Sequence, residues 1–384
     1  MAERRKVLFL SAPVGSGHVR AARAVGAALR SLAPEVGVDF ADVFDFFSPR
    51  LGQGLLKTYL ALLDTFPGVY GRMYQWGNSS NSAVAGRELI SRYLARRMDD
   101  YIRAISPDAI VCTHATPAGL AAHLAKTGRL SIPILAVVTD FVVHRLWLYP
   151  EISRYFVAHD GLCDFLAEHG AGAVQAYPFG IPVDEKFTYR QDRGAVLKSL
   201  GLDPGLKTLL IMGGGAGVLP MPDIITACDK IGAHLQIIAV TGNNAALRRK
   251  LQDLSSRLRG SSLLSLGFVD NIHELMTAAD LLVSKPGGMT VAEALCRELP
   301  LVIFRPIPGQ EEANTRYLVE RSIAESSACV ADLQSKVKDL LFTRPQHLSE
   351  LRQNAAAAGR PSASRDIAQV ILSVLNLTKN EGKT

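Results

Sequence analysis

The sequence predicts two α/β domains in tandem, each built on a doubly wound parallel sheet. Three observations predict it. The chain has 384 residues, more than one hydrophobic core ordinarily serves. Short β-branched or leucine-rich runs alternate with alanine-rich helical stretches, the rhythm of parallel α/β units. The two halves also open alike, strand then glycine-rich loop then helix: "VLFLSAPVGSGH" (7–18) and "TLLIMGGGAGV" (208–218).

Taken in order, four runs of the first half read as strands: "KVLFLS" (6–11), "AIVCT" (109–113), "ILAVVT" (134–139) and "RYFVA" (154–158). In the second half they are "TLLIM" (208–212), "LQIIAV" (235–240), "LLVS" (281–284) and "LVIF" (301–304). Between the halves lies "YPFGIPVDEKFTYRQDRG" (177–194), where Pro and Gly punctuate and no long apolar run survives; it reads as the linker. The domains are therefore set at 1–180 and 181–384, with the last helix free to pack back on the first domain. One segment breaks the alternation. Residues 50–76 carry Leu51, Leu55, Leu56, Tyr59, Leu62, Leu63 and Phe66 at helical spacing, with only Lys57 and Asp64 charged between Leu51 and Gly71. Two readings fit: a core-facing helix, or an apolar flap that touches lipid, followed by a basic helix around Arg87, Arg92, Arg96, Arg97 and Arg103.

Composition narrows the function classes. With 48% hydrophobic and 20% charged residues the chain is a folded globular protein. Its net charge of +6 suits an anionic partner: a nucleotide phosphate, an acidic membrane surface or a nucleic acid. The basic residues are scattered and no aromatic-interleaved basic motif occurs, which argues against nucleic acid. Five cysteines stand far apart with no C-x-x-C pair, as in a reducing, cytoplasmic setting. No stretch free of Asp, Glu, Lys and Arg exceeds 17 residues, so no membrane-spanning helix is expected.

The glycine loops argue against a nicotinamide dehydrogenase and a P-loop NTPase. Gly15 and Gly17 are followed by Arg20, and Gly213 and Gly215 by Val218, so neither loop completes G-x-G-x-x-G, and no G-x-x-x-x-G-K-[ST] occurs. The best anion site is "VSKPGGMTVAEAL" (283–295). A strand ends at Ser284, Lys285 follows, Gly287 and Gly288 turn the chain, and a helix begins near Met289 and Thr290. The first helical amides and the helix dipole suit a diphosphate, and Glu293, one turn in, suits a ribose diol. A plain strand-to-helix turn with Glu293 solvated fits the same residues. In the first half, His18 follows a glycine loop and reads either as a helix cap or as a base. Asp140, His144 and Trp147, in "VVTDFVVHRLWLYP" (137–150), fall just after a strand, where ligands of open parallel sheets bind. No D-x-D pair, H-x-x-x-H or H-E-x-x-H occurs, so no metal is expected.

Read together, "GFVDNIHELMTAADLLVSKPGGMTVAEALCRELPLVIFRPIPGQEEAN" (267–314), "SAPVGSGHVRAARAV", "VVTDFVVHRLW", "FGIPVDEKF" and "VTGNNAAL" resemble glycosyltransferase family 28. The resemblance is to the branch with monogalactosyldiacylglycerol synthases and bacterial processive diacylglycerol glucosyltransferases, and it runs from about residue 6 to residue 340. It implies a GT-B fold, two Rossmann-like domains facing across a cleft, with an N-terminal acceptor and membrane-facing domain and a C-terminal UDP-sugar domain. It further implies that Gly213, Gly214 and Gly215 lie against the diphosphate and that Phe268 and Val269 frame the uracil. Gly287 and Gly288 would contact phosphate, Glu293 the ribose, and Gln310 and Glu311 the sugar hydroxyls.

The expected activity is inverting, metal-independent transfer of a hexose from a UDP-sugar to diacylglycerol or a glycosylated diacylglycerol. His18 is the expected base, with Asp140 orienting it or replacing it and His144 the third candidate. No cofactor is expected beyond the UDP-sugar substrate. The expected partners are that donor, a diacylglycerol-type acceptor and an anionic membrane surface. The expected location is the inner face of the cell membrane, attached peripherally. The rivals are a UDP-N-acetylglucosamine-dependent transferase to a polyprenyl-linked acceptor and a UDP-sugar-sensing protein.

Overall fold

The computed structural model describes residues 4–12, 16–46, 94–169, 175–214, 219–232 and 234–376. The 50–76 segment, Arg87, Arg92 and Gly215 therefore lie outside the described residues.

Among the described residues each half holds a six-stranded, all-parallel sheet with helical crossovers. The first unit comprises Met1–Glu185, Ile307–Gln310 and Arg360–Thr384. Its strands are β1 (Lys6–Ser11), β2 (Gly37–Asp42), β3 (Ala109–Cys112), β4 (Ile134–Val137), β5 (Arg154–Phe156) and β6 (Gln175–Tyr177), in the order β2-β1-β3-β4-β5-β6. Its labelled helices are α1 (Gly17–Leu32), α2 (Ala115–Lys126), α3 (Asp160–Glu168) and, from the far end of the chain, α12 (Ala363–Val374). Val7, Leu8, Phe9 and Leu10 of β1 are all fully buried, because a parallel strand is covered on both faces. Each such side chain contributes about 1.5–3 kcal/mol by leaving water. The α12 helix presents Ile367, Ala368, Ile371 and Leu372 at helical spacing and packs them with Ala22, Val25 and Leu29 of α1, in one core with Val7 and Phe9.

The second unit comprises Lys186–Pro306 and Glu311–Gly359. Its strands are β7 (Lys207–Met212), β8 (Leu235–Val240), β9 (Ser261–Leu266), β10 (Leu281–Ser284), β11 (Leu301–Phe304) and β12 (Ala324–Ser327), in the order β12-β11-β10-β7-β8-β9. Read from the other edge this is the 3-2-1-4-5-6 arrangement of a Rossmann domain. Its helices are α4 (Arg193–Ser199), α5 (Met221–Asp229), α6 (Ala245–Ser255), α7 (Ile272–Ala278), α8 (Gly288–Cys296), α9 (Gln310–Glu320), α10 (Val330–Lys338) and α11 (Pro345–Ala358). Leu209, Ile211, Ile237, Val283 and Phe304 of the sheet form the core with Leu333, Leu340 and Leu348 from the helical layer. Gly359, just past α11, lies so close to α8 that a Cβ there would meet the Leu295 carbonyl oxygen at 2.6 Å, so only glycine fits without a backbone shift.

Four strands were not among those expected from the sequence: β2, β6, β9 and β12. All four are sheet edges. The strands 109–113, 134–139 and 154–158 end one or two residues earlier than expected, at Cys112, Val137 and Phe156. That difference matters for the site.

Candidate functional site

In an open parallel sheet, ligands bind beyond the carboxyl ends of the strands where the strand order reverses. In the first unit that point lies between β1 and β3, with β4 next to β3. β1 ends at Ser11 and α1 begins at Gly17, which puts His18 in the first helical turn, at this point. Thr113 and His114 continue from β3; Thr139 and Asp140 follow β4.

These residues converge on the His18 ring. His18 Nδ1 is 2.9 Å from the Thr113 carbonyl oxygen and 2.7 Å from Thr139 Oγ1. A carbonyl only accepts, so the proton sits on Nδ1 and the neutral ring keeps its lone pair on Nε2. The His114 ring stands edge-on to it, centroids 4.7 Å apart and planes at 89°. His114 Nδ1 accepts the Thr116 N–H at 3.1 Å, capping α2, so its own proton is on Nε2. Asp140 is buried, 8% exposed, and its charge favours a protonated His18. Thr139 is 4% exposed.

Burial pushes the His18 pKa down, while Asp140 and the Thr113 carbonyl pull it back up; the net position is below the ordinary value. His114 lies further down, by burial first and by His18 second. Both rings are therefore neutral near pH 7. In the unfolded chain both titrate near 6.5. Below that value the unfolded chain binds more protons than the folded one, so stability rises with pH across this window and is lost as pH falls. The midpoint of thermal unfolding is expected to drop between pH 7 and pH 5, with a slope of at most about 1.4 kcal/mol per pH unit for each histidine. His114→Asn, which keeps a capping oxygen but cannot titrate, should flatten that slope. Identical slopes in the two proteins would remove His114 from the account.

His144 follows the same strand, four residues beyond Asp140. Its Nδ1 accepts the Leu146 N–H at 3.1 Å and caps the short helical turn Arg145–Trp147. Trp147 is buried and its carbonyl accepts from Tyr155 Oη at 2.6 Å.

In the second unit the strand order reverses between β7 and β10. Gly213 and Gly214 follow β7, Gly214 with φ +71°, a conformation that favours glycine. Ser284 Oγ at the end of β10 donates to the Met212 carbonyl at 3.1 Å and ties the two strand ends together. Lys285, Pro286 and Gly287 then lead into α8. Gly287 is its N-cap and brings no side chain, so the first amides of α8, at Gly288, Met289 and Thr290, have no side-chain cap. Asn314 of α9 is buried, and its Nδ2 donates to the Pro286 carbonyl at 3.1 Å, anchoring the turn. Gln310 and Glu311 open α9, both half-buried.

Glu293 is fully buried within α8, so a ribose reaches its carboxylate only when the atoms covering it shift. Phe268, just beyond β9, is 67% exposed, an uncommon state for so large an apolar ring and one that suits a stacking partner. Val269 beside it is half-buried. Among the described residues no group of three or more His, Cys, Asp or Glu side chains is arranged to hold a metal ion, and no helix is long and apolar enough to cross a membrane.

Thr113, His114, Thr139 and Asn314 are not among the site residues expected from the sequence, in which Thr113 and Thr139 read as strand ends. The "TH" that follows "AIVC" and precedes a helix was the available signal, a polar pair at a strand's carboxyl end.

Residues 18–183 match the family described as monogalactosyldiacylglycerol (MGDG) synthase, and residues 208–370 match the glycosyltransferase family 28 C-terminal domain. Among curated proteins, a processive diacylglycerol beta-glucosyltransferase of Bacillus pumilus (strain SAFR-032) is 28% identical over 379 residues, covering 98% of this chain and 97% of that protein. A protein of the same name from Bacillus cereus (strain G9842) is 29% identical over 344 residues, covering 89% and 87%. Among solved structures, MurG of Acinetobacter baumannii superposes with a TM-score of 0.66 at 16% identity, over 96% of this chain and 99% of that one. A UDP-glucosyltransferase from Polygonum tinctorium gives 0.65 at 14% identity, over 99% and 100%. At these identities the structures speak for the fold, which is of the GT-B class.

Proposed function

This chain belongs to glycosyltransferase family 28, in the branch of monogalactosyldiacylglycerol synthases and processive diacylglycerol glucosyltransferases, and on that premise we propose that it transfers a hexose from a UDP-sugar to diacylglycerol or a glycosyl-diacylglycerol at a membrane surface. The observation that carries the mechanism is the state of His18: neutral, held at Nδ1–H by a backbone carbonyl, and basic at Nε2.

Transfer is a single displacement. The acceptor hydroxyl oxygen bonds to the anomeric carbon as the bond from that carbon to the diphosphate oxygen breaks, its electron pair leaving with UDP. The hydroxyl proton passes to His18 Nε2. One displacement inverts the anomeric centre. Asp140 stabilises the imidazolium that results through its negative charge. The leaving diphosphate gains negative charge, and the uncapped amides of α8, the Gly213–Gly215 loop and Lys285 offset it without a metal. Phe268 and Val269 take the uracil, Glu293 the ribose, and Gln310 and Glu311 the hexose hydroxyls. The basic, apolar 50–103 stretch brings the protein to the anionic cytoplasmic leaflet as a peripheral protein.

The test is a product assay on diacylglycerol–anionic lipid vesicles with UDP-glucose, UDP-galactose or UDP-N-acetylglucosamine, a chelator being present throughout. The expected product is a hexosyl-diacylglycerol by mass, with an inverted anomeric centre by NMR. Vesicle binding should weaken as salt rises, through screening. UDP binding without product from any donor would overturn the transfer reading in favour of a sensor. Product only after metal is restored would overturn the metal-free mechanism.

A further inference from the structure

Resting on the reading of His18 as the base, we propose that Thr139 is its positioning residue, gripping the ring at Nδ1 so that the proton is taken at Nε2 and the charge that follows is stabilised from behind. Thr139 Oγ1 lies 2.7 Å from His18 Nδ1, and the Thr113 carbonyl oxygen 2.9 Å from the same atom. The single Nδ1–H is thus shared between two acceptors, one a residue beyond β3 and one two residues beyond β4. Thr113 N–H still bonds the Leu10 carbonyl of β1 and Val138 N–H the Phe156 carbonyl of β5, which holds both extensions to the sheet, and the Thr139 side chain is buried and β-branched, hence stiff at χ1. The oxygen is fixed in place before the reaction begins.

The energetic consequence depends on protonation. Against neutral imidazole these are ordinary hydrogen bonds. Once Nε2 has taken the acceptor proton, both become charge-assisted and roughly twice as strong. An interaction that strengthens as charge develops lowers the barrier rather than merely holding the ground state. The other titratable groups facing His18 are Asp140, from the loop after β4, and His114, from the cap of α2. Asp140 acts in the same direction as Thr139. His114 stays neutral, because protonating its Nδ1 would break the Thr116 N–H bond that caps α2. The proton therefore resides on His18.

The experiment compares Thr139→Val, which keeps the shape and removes the oxygen, with Thr139→Ser, which keeps the oxygen. Two readouts are taken: the pH profile of kcat/KM, and the titration of the His18 ring by 15N NMR in histidine-labelled protein. For Thr139→Val the acidic limb and the His18 titration should both move down by about one pH unit, and plateau kcat should fall roughly three- to tenfold. Thr139→Ser should restore both. Thr139→Ala, which also lacks the hydroxyl, should reproduce the downward shift and covers the case in which the valine variant folds poorly. If the hydroxyl-less variants leave the His18 titration in place, the proposal is overturned while the base assignment stands. If instead the titration moves but His18→Ala retains full turnover, the base assignment fails and Thr139 remains the partner of His18.

Discussion

Replacing His18 with alanine is expected to lower kcat by roughly 10²–10⁴-fold, the range for losing a general base. Two features make the effect separable from misfolding. The ring is half-buried in the first turn of α1, whose apolar face toward the core is formed by Ala22, Val25 and Leu29 instead. All the donor-binding candidates but Gln310 belong to the other unit, so the KM for the UDP-sugar should stay near the parent value. In the parent enzyme the acidic limb of kcat/KM should lie below pH 6.5, since the His18 pKa is held under its ordinary value and the base must be neutral to act. Asp140→Asn should move that limb further down, because the carboxylate is what raises the imidazole. Near-normal turnover in His18→Ala would transfer the role of base to Asp140.

The second large effect concerns stability and arises at the opposite pole of the second sheet. Asp280 precedes β10 and is 8% exposed. Its Oδ2 accepts from Arg193 at 2.8 Å and from the fully buried Thr208 backbone N–H at 2.9 Å, and Lys207 Nζ stands 3.9 Å from Oδ1. One carboxylate thus joins β10, β7 and α4. Asp280→Ala strands the Thr208 N–H, a penalty of about 1–3 kcal/mol, and takes the carboxylate from Arg193, which is about a third exposed and still donates to the Pro204 and Leu206 carbonyls. The expected total is about 3 kcal/mol, read as a lowered denaturant midpoint for the transition of the second unit. Asp280→Asn, which still offers an oxygen to Thr208, should lose about half as much. Donor KM in the folded fraction should not change, because Asp280 sits at the amino ends of the strands and the candidate site at their carboxyl ends. A loss below about 1 kcal/mol for the alanine variant would mean that water replaces the carboxylate at little cost.

The elements that the sequence reveals and those that it hides divide along a physical line. All eight strands read from apolar runs are interior strands, four in each sheet. Such strands are covered by helices on both faces, so selection for burial writes them as continuous hydrophobic segments. The four edge strands are β2 "GVDFAD", β6 "QAY", β9 "SSLLSL" and β12 "AESS". With solvent on one side and a neighbour on the other, they carry polar residues, and their pairing is decided by the strand already in place.

The candidate site divides in the same way. His18, Asp140, Ser284, Gly287 and Gly288 stand at strand-to-helix junctions, and a junction is a local pattern that the chain spells out. The grip on His18 is not local: Thr113 and Thr139 lie 95 and 121 positions away from it in the chain. Their own neighbourhoods show at most a polar residue past a strand's carboxyl end, and do not name the imidazole it meets.

By itself, then, the sequence determined the two-domain α/β class, the interior strands and the glycine turns, because burial and backbone geometry act over a few residues. Tertiary structure alone decided that the 363–374 helix covers α1 of the first unit, since its apolar stripe fits any matching helix face until the core shape selects one. It also decided which nitrogen of His18 is basic. That choice rests on one backbone carbonyl delivered by a neighbouring strand, an atom every residue carries and no sequence pattern can single out.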